Sequence, residues 1–256
     1  MKIADLHIHS NLSDGVRSPE DIVDFAEKKN ILNKIYITDH DNISGSLRGK
    51  EHALSKKYNI EVGIGSEIST TECHLLALDI KKDIKKGKGV VDTAKEVINQ
   101  GGFPVLAHPM NPFLKMVHIS GDKIVELLIK EKIPFAIEIN GSLNYQTIPY
   151  KKGTILNKKS SISRTNLLAI NLAEKNNIPI IGASDAHMLR VIGSAYTLYE
   201  KDLISDIKKN KVGYGFVFAN RKDGVTYLLY HTIMPIKMRY KRKKLRIISD
   251  TKNKRI

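Results

Sequence analysis

The stretch Lys2–Gly15, KIADLHIHSNLSDG, begins as an apolar run and ends with two histidines and a turn sequence. Alternate residues of a strand face the same side, so we expect Asp5, His7 and His9 to point into one cavity while Leu6 points away. A His-x-His pair on a strand supplies two metal ligands, and Asp5 is placed to orient an imidazole. The stretch therefore predicts a strand that carries part of a metal site.

Further apolar runs recur along the chain and alternate with segments of helical period. The predicted strands are Lys2–His7, Lys34–Thr38, Ile60–Ile64, His74–Ile80, Phe103–Ala107, Phe135–Ile139 and Ile178–Ala183. The predicted helices are Ser18–Lys29, Ser44–Tyr58, Val90–Gln100, Gly121–Lys130 and Arg164–Lys175. Two more strands and a short helix (Asp202–Asn210) are expected in Ala195–Asn220, and edge strands in Val225–Met238. This alternation favours a parallel sheet, either open or closed into a barrel.

Six histidines and three carboxylates come in short blocks that follow or finish predicted strands. They are His7, His9, Asp14, His40, Glu67, His74, His108, Asp185 and His187. The carboxyl ends of barrel strands are where catalytic residues gather, and nine such groups are more than a core needs. Taken alone, Asp14 could be a turn residue and His108 a strand-ending histidine. Taken together, the nine residues predict two or three divalent ions and metal-assisted hydrolysis.

Glu67 is the expected bridging carboxylate, because each of its oxygens can bind an ion. A set that mixes imidazole with carboxylate and lacks thiolate suits zinc, manganese or iron. Cys73 is the only cysteine, so a disulfide within the chain is excluded, and it should face away from His74 and serve in packing. Asp41 is a candidate cap for the helix that begins near Ser44.

The composition bounds the class of protein. A chain of 256 residues with 41% hydrophobic and 27% charged residues is typical of one soluble globular domain. We see no apolar run long enough to span a bilayer and no signal peptide, which predicts a cytoplasmic protein without membrane contact.

Positive charge is concentrated towards the end of the chain. The net charge is +15, and Ile236–Ile256 holds ten Lys or Arg against one acid. Such a tail can bind nucleic acid or an anionic membrane surface, or it can be only a solvated segment. Gly141–Ser163 is polar, rich in lysine and without clear period, which is typical of either a functional loop or a disordered one.

The blocks DLHIHS-NLSDG, ITDHD, GSEIST, HLLAL, VLAHP and GASDAH together resemble the polymerase and histidinol phosphatase (PHP) family of metal-dependent phosphoesterases. The resemblance runs from Lys2 to about Tyr196. It implies a distorted seven-stranded β/α barrel with a trinuclear metal site. We expect a phosphoesterase domain at residues 1–200 and a small C-terminal extension with a basic tail at 201–256.

The resemblance also assigns the ligands. The first ion would be held by His7, His9, Glu67 and Asp185, the second by Glu67, His74 and His108, and the third by Asp14, His40 and His187. Glu138 and Asn140 match a further family block and are expected behind the ligands. The usual phosphate-clamping arginines have no clear match, and Arg17, Lys115 and Arg190 are the candidates near the metal motifs, although each could be a surface charge.

Asp14 stands where some relatives carry His, and this resembles the subgroup that hydrolyses nucleoside monophosphates, bisphosphates or short oligonucleotides. The short segment between Glu67 and His74 would remove part of a substrate-binding wall. We therefore expect a phosphomonoester of a nucleotide or small phosphometabolite to be hydrolysed by a metal-bridged hydroxide. Asp185 and Glu67 would be central, and His187 or a metal-bound water would assist the leaving group.

Three alternatives stay open. Exonucleolytic cleavage of short RNA or DNA is the first, because the basic tail and the Lys-rich loop would attract a polyanion. Hydrolysis of histidinol phosphate shares the fold but not an Asp at position 14. A non-catalytic scaffold or nucleic-acid-binding module belongs to a different class, and the full set of nine ligand types argues against it. The oligomeric state is left open.

Overall fold

The computed structural model describes residues 1–110, 120–144 and 163–216 of the chain. These residues belong to one compact unit, Met1–Phe218. Lys115, Val225–Met238, the basic tail and most of the Gly141–Ser163 stretch lie outside the described residues. The division at residue 200 stays a prediction.

The described residues form nine strands and seven α-helices. The strands are β1 (Lys2–Ile8), β2 (Lys34–Ile37), β3 (Glu61–Ser69), β4 (His74–Leu78), β5 (Phe103–Leu106), β6 (Ala136–Asn140), β7 (Ile180–Ala183), β8 (Ala195–Tyr199) and β9 (Gly213–Phe216). The helices are α1 (Pro19–Lys29), α2 (Ser44–Lys56), α3 (Val90–Asn99), α4 (Gly121–Lys130), α5 (Gly141–Asn144), α6 (Arg164–Lys175) and α7 (Leu203–Lys208), with a 3-10 turn at Leu189–Val191. Each predicted element within these ranges is present, with ends that shift by a few residues.

Local capping explains where the helices begin and end. The Ser18 hydroxyl accepts a hydrogen bond from the Asp21 backbone N–H at 3.1 Å, and Pro19 occupies the first turn of α1. Asn30 ends that helix in the left-handed region, with φ of 49°. Ser163 caps α6 in the same way by accepting from the Asn166 N–H.

The strands form one mixed sheet in the order β7-β6-β5-β4-β3-β2-β1-β8-β9. Strands β1, β2 and β3 are parallel, as are β5, β6 and β7, but β4 runs antiparallel to both of its neighbours. The expectation of a wholly parallel sheet is therefore wrong. Only Thr70–Cys73 connect β3 to β4, and a parallel crossover needs about a dozen residues.

The sheet curves until its two ends nearly meet, as the barrel prediction required. The backbone N–H of His9 donates to the Ala186 carbonyl at 2.8 Å, and the Ala186 N–H donates to His7 O at 3.2 Å. Gly182 on β7 also donates its N–H to the Thr197 hydroxyl on β8. The predicted distorted β/α barrel is confirmed.

Two apolar clusters fill the fold. One lies between the sheet and helices α3, α4 and α6. The other joins Leu6, Tyr36, Val105 and Ile181 from strands that are far apart in the sheet, so it occupies the barrel interior. Leu6 belongs to this second cluster, and the register of β1 against β2 shifts between Asp5 and Ile8.

Candidate metal centre

The structure brings all nine predicted ligands together at one end of the barrel. His7 and Glu67 lie within β1 and β3, and His74 is the first residue of β4. The other six follow the strands β1, β2, β5 and β7: His9, Asp14, His40, His108, Asp185 and His187. Glu67 was expected beyond the end of its strand, but β3 continues to Ser69 and holds it in place by strand pairing.

Four donor atoms form the first group. His7 Nε2 and His9 Nε2 are 3.0 Å apart, and Glu67 Oε2 lies 3.2 Å from each of them. Asp185 Oδ1 lies 3.3 Å from His9 Nε2 and 3.6 Å from His7 Nε2. A tetrahedral ion with bonds of about 2.1 Å holds its ligand atoms roughly 3.4 Å apart, which is the spacing of these four.

The second oxygen of Glu67 faces a second group. Glu67 Oε1 lies 2.9 Å from His74 Nδ1 and 3.1 Å from His108 Nε2. The two oxygens of one buried carboxylate thus serve separate sets of imidazoles. This arrangement allows Glu67 to bridge two ions.

A third group surrounds Asp14. Its Oδ2 lies 3.2 Å from His187 Nε2 and 3.5 Å from His40 Nε2, and its Oδ1 lies 3.4 Å from His9 Nδ1. The other ring nitrogen of His40 is 3.3 Å from Glu67 Oε2. His40 therefore stands between the third group and the bridging carboxylate.

Two donor atoms of the centre have no hydrogen-bond partner within the described part of the chain. The buried Nδ1 atoms of His40 and His74 lie close to Glu67 but make no hydrogen bond. Buried polar atoms normally have hydrogen-bond partners. Nitrogen and oxygen atoms that converge without hydrogen-bond geometry are what ligands of a common ion look like.

The pKa values of the site residues also favour bound metal ions. Burial lowers the pKa of His9, but Asp185 and Glu67 outweigh it and raise that pKa to about 10. Burial raises the pKa of Glu67, whereas His7, His74 and His40 hold it well below its usual range. The carboxylates therefore need positive charge beside them, and divalent ions would replace the protons that the imidazoles otherwise hold.

Glu138 and Asn140 support the ligands from behind. Glu138 Oε1 lies 2.8 Å from His7 Nδ1, and Oε2 accepts the backbone N–H of His108 at 2.8 Å. Asn140 Nδ2 donates to Asp185 Oδ2 at 3.2 Å. A carboxylate on Nδ1 of a histidine leaves Nε2 with its lone pair facing the ion, which is the usual arrangement behind a metal ligand.

The sequence assigned that orienting role to Asp5, and this assignment is wrong. The Asp5 carboxylate accepts the backbone N–H groups of Gly193 at 2.7 Å and Ser184 at 3.0 Å. Burial raises its pKa to about 6 although these hydrogen bonds lower it. Asp5 therefore holds the chain segments on either side of Asp185 and His187 rather than an imidazole.

Asp39 was not singled out from the sequence. It is fully buried and accepts hydrogen bonds from the Ser10 N–H at 2.7 Å and from the hydroxyls of Ser10 and Ser13, both at 2.6 Å. Its position between the end of β2 and the ligand His40 could have marked it in the sequence as a residue of the site. Asp41 does not cap α2, because its carboxylate accepts from the Ser69 N–H instead.

The structure also describes three other residues that the sequence singled out, Arg17, Arg190 and Cys73. Arg17 and Arg190 are exposed, and Arg190 lies in the 3-10 turn after His187. Cys73 is buried among apolar residues, as expected, and burial raises its pKa to about 12. Among the described residues, no helix is long and apolar enough to cross a membrane.

Comparison with known proteins gives the family. The model of the PHP domain matches residues 5–134, and a PHP-associated model matches residues 163–212. An uncharacterized protein of Methanocaldococcus jannaschii, MJ1587, is 38% identical over 135 residues, which are 48% of this chain and 75% of that protein. A 5'-3' exoribonuclease of Haemophilus influenzae is 34% identical over 95 residues, 36% of this chain and 34% of that enzyme.

A solved structure shares the fold. It is a two-domain protein from Bacteroides vulgatus that contains a predicted PHP-like metal-dependent phosphoesterase, with a TM-score of 0.62 and 20% identity. The match covers 84% of this chain and 64% of that protein, so this chain spans less than two thirds of its length. With half of its residues matched by the PHP domain model and a barrel that carries the expected ligand cluster, the chain belongs to the PHP domain family.

Proposed function

We propose that this protein is a metal-dependent phosphoesterase that removes phosphate from a nucleotide or small phosphometabolite. The observation that carries the proposal is Glu67, whose two oxygens face separate imidazole groups at 2.9–3.3 Å. Bound divalent manganese, zinc or iron would activate water and neutralise the phosphoryl oxygens. The nine residues would hold two or three ions in the three groups described above.

The residues of the centre have separable tasks. Glu67 ties the first group to the second, and Asp185 contributes Oδ1 to the first group while Asn140 holds its Oδ2. His187 Nδ1 lies 3.1 Å from the Asp185 carbonyl, and a carbonyl only accepts, so this nitrogen carries the proton. Its Nε2 lies 3.2 Å from Asp14 Oδ2 and would be the atom that binds a third ion. His187 is therefore a ligand where a third ion is bound, and it can hold a proton for the leaving group only where none is.

The proposal is tested by phosphate release with manganese added. Adenosine monophosphate, an adenosine bisphosphate and a short 5′-phosphorylated RNA should be compared at low salt. We expect rapid release from the mononucleotides. His9→Ala and Asp185→Ala should each lose both bound metal and turnover, and turnover that survives either change contradicts the proposal.

Exonucleolytic cleavage is the second candidate, favoured by the identity to the Haemophilus influenzae exoribonuclease. Stepwise shortening of the RNA would establish it. Removal of residues 236–256 should then weaken this cleavage and reduce its dependence on salt, because fewer phosphates are neutralised by lysine and arginine. A non-catalytic scaffold remains a distinct class. Folded protein that binds oligonucleotides equally well with and without metal, and hydrolyses nothing, would favour that function.

A further inference from the structure

One side of the metal centre is exposed to solvent. The side chains of His7, His9 and Glu67 are at most 1% exposed, whereas those of Asp14 and His40 are 30% and 29% exposed. A phosphate group must approach where ligands are exposed to solvent. We call the side of the centre at Asp14 and His40 the mouth.

A lysine-rich segment is anchored beside this mouth. Residues 81–88, KKDIKKGK, carry five lysines and one aspartate. Asp83 Oδ1 accepts the Ile43 N–H at 2.8 Å, and Gly87 donates its N–H to the Ser69 carbonyl at 2.7 Å. Ile43 and Ser69 lie three and two residues beyond the ligands His40 and Glu67. The segment is therefore fixed at Asp83 and Gly87 to the chain that carries two of the ligands.

Lys86 is the lysine of this segment that pairs with the residue after the ligand His40. Its Nζ lies 3.3 Å from Asp41 Oδ2, and Asp41 directly follows His40. The Asp41 backbone N–H donates to the Glu67 carbonyl at 2.9 Å. The ammonium group of Lys86 is thus paired with a residue that touches the backbone of the bridging carboxylate.

The pair between Lys86 and Asp41 is built so that the lysine can leave it. The Asp41 carboxylate also accepts the Ser69 N–H at 2.8 Å and the Ser69 hydroxyl at 3.1 Å, so it keeps partners without Lys86. The Lys86 side chain is 68% exposed, and exposed ion pairs contribute only about 0–1 kcal/mol. A doubly charged phosphate competes well for such an ammonium group.

We propose that Lys86 binds a phosphate group of the substrate at the mouth of the metal centre, exchanging Asp41 for phosphate oxygens. The inference rests on the proposed function, since it names a residue that binds the substrate of that same site. Lysine binds phosphate as a flexible point charge, and the long stem lets Nζ move while the backbone stays anchored.

Lys82 offers a matched control. It lies in the same segment and is also exposed, but its backbone N–H is held by Gln100 Oε1 at 3.0 Å, whereas the ion pair of the segment with Asp41 is made by Lys86. Lys82→Gln removes the same single positive charge as Lys86→Gln. Any difference between the two variants therefore comes from the position of the lysine and not from the loss of charge.

The experiment compares Lys86→Gln, Lys86→Arg and Lys82→Gln in the manganese-loaded protein. Metal content is measured first and should be equal in all of them. We expect Lys86→Gln to raise KM for adenosine monophosphate and the inhibition constant of inorganic phosphate about tenfold, or ~1.4 kcal/mol, with a much smaller fall in kcat. Lys86→Arg should restore most of the affinity, and Lys82→Gln should change neither constant.

Equal effects of Lys86→Gln and Lys82→Gln, or no effect of either, would overturn the inference. If the unmodified protein releases no phosphate, the proposed function fails separately. Calorimetric titration of the manganese-loaded proteins with inorganic phosphate then still decides about Lys86. Weaker binding in Lys86→Gln than in Lys82→Gln supports the inference, and equal binding contradicts it.

Discussion

The Asp39 carboxylate accepts a hydrogen bond from the Ser13 hydroxyl at 2.6 Å, and this contact ties the chain after β2 to the turn after β1. Asp14 lies in that turn, and His40 follows Asp39, so the contact sets the distance between two ligands of the third group. A side chain at position 45 would overlap the Asp39 carboxylate, which explains the glycine there.

Replacing Asp39 by Asn should loosen the third group while leaving the other two. An amide has one acceptor oxygen in place of two and would turn an N–H towards the donors of Ser10. We expect one bound ion fewer per chain and a loss of stability of about 1–3 kcal/mol. Metal analysis after gel filtration checks the count. Ser13→Ala should also lower the metal content, but by less. An unchanged metal content in Asp39→Asn would contradict the role of Asp39 in positioning the third group.

Replacing Glu67 by Gln should weaken metal binding in the first and second groups at once, because one carboxylate oxygen of Glu67 faces each group. We expect a loss of at least one ion and a fall in kcat/KM of more than a hundredfold, since even residues behind a ligand cost roughly 10–100-fold when changed. Glu138→Gln is the comparison, because it alters only the support of His7 and His108 and should cost less. Similar losses in both variants would argue against a bridging Glu67.

Metal binding should release protons. The carboxylates around His9 raise its pKa to about 10, so without metal its imidazole is protonated at pH 8. An ion needs the neutral imidazole and displaces that proton, and apparent affinity should therefore rise with pH up to about 10. Addition of manganese to the metal-free protein in weak buffer at pH 8 should release at least one proton per chain. His9→Ala should release fewer, and the absence of any release would refute the expectation.

Asp5 should make stability depend on pH in mildly acidic solution. Burial raises its pKa from 3.8 to about 6 in the folded protein. Between these values the folded state holds a proton that the unfolded state has lost, so this group lowers the free energy of unfolding as pH rises. The contribution is about 3 kcal/mol across that window.

The measurement is denaturant unfolding of the natural protein and of Asp5→Asn at pH 4 and pH 6.5. Asparagine does not titrate, so the natural protein should lose more stability over this range than the variant. Equal pH dependence in the two proteins would show that Asp5 is ionised throughout. Both proteins should be compared without added metal, since bound ions would add their own dependence on pH.

The local pattern was sufficient for most elements. Strand-forming runs separated by capped, amphipathic segments predicted the strands and helices within a few residues, and α4 and α6 match to the residue. The end of β3 was missed, because Gly65, Ser66 and Glu67 read as a strand end. Pairing of β3 with β4 carries it on to Ser69, and that pairing is a contact between strands.

The division between sequence and tertiary structure is clearest at His7. The sequence by itself determined the α/β class and the nine residues of the candidate centre, because these depend on residue type and spacing along the chain. Its motifs also carried the family resemblance, which implied the barrel. It placed Asp5 behind the imidazole because Asp5 is near in sequence. In the structure Glu138, 131 residues away, contacts the imidazole of His7. The Asp5 carboxylate instead accepts the backbone N–H groups of Ser184 and Gly193. Closure of the barrel decides such contacts, since it brings together strand ends whose separation along the chain carries no periodic signal.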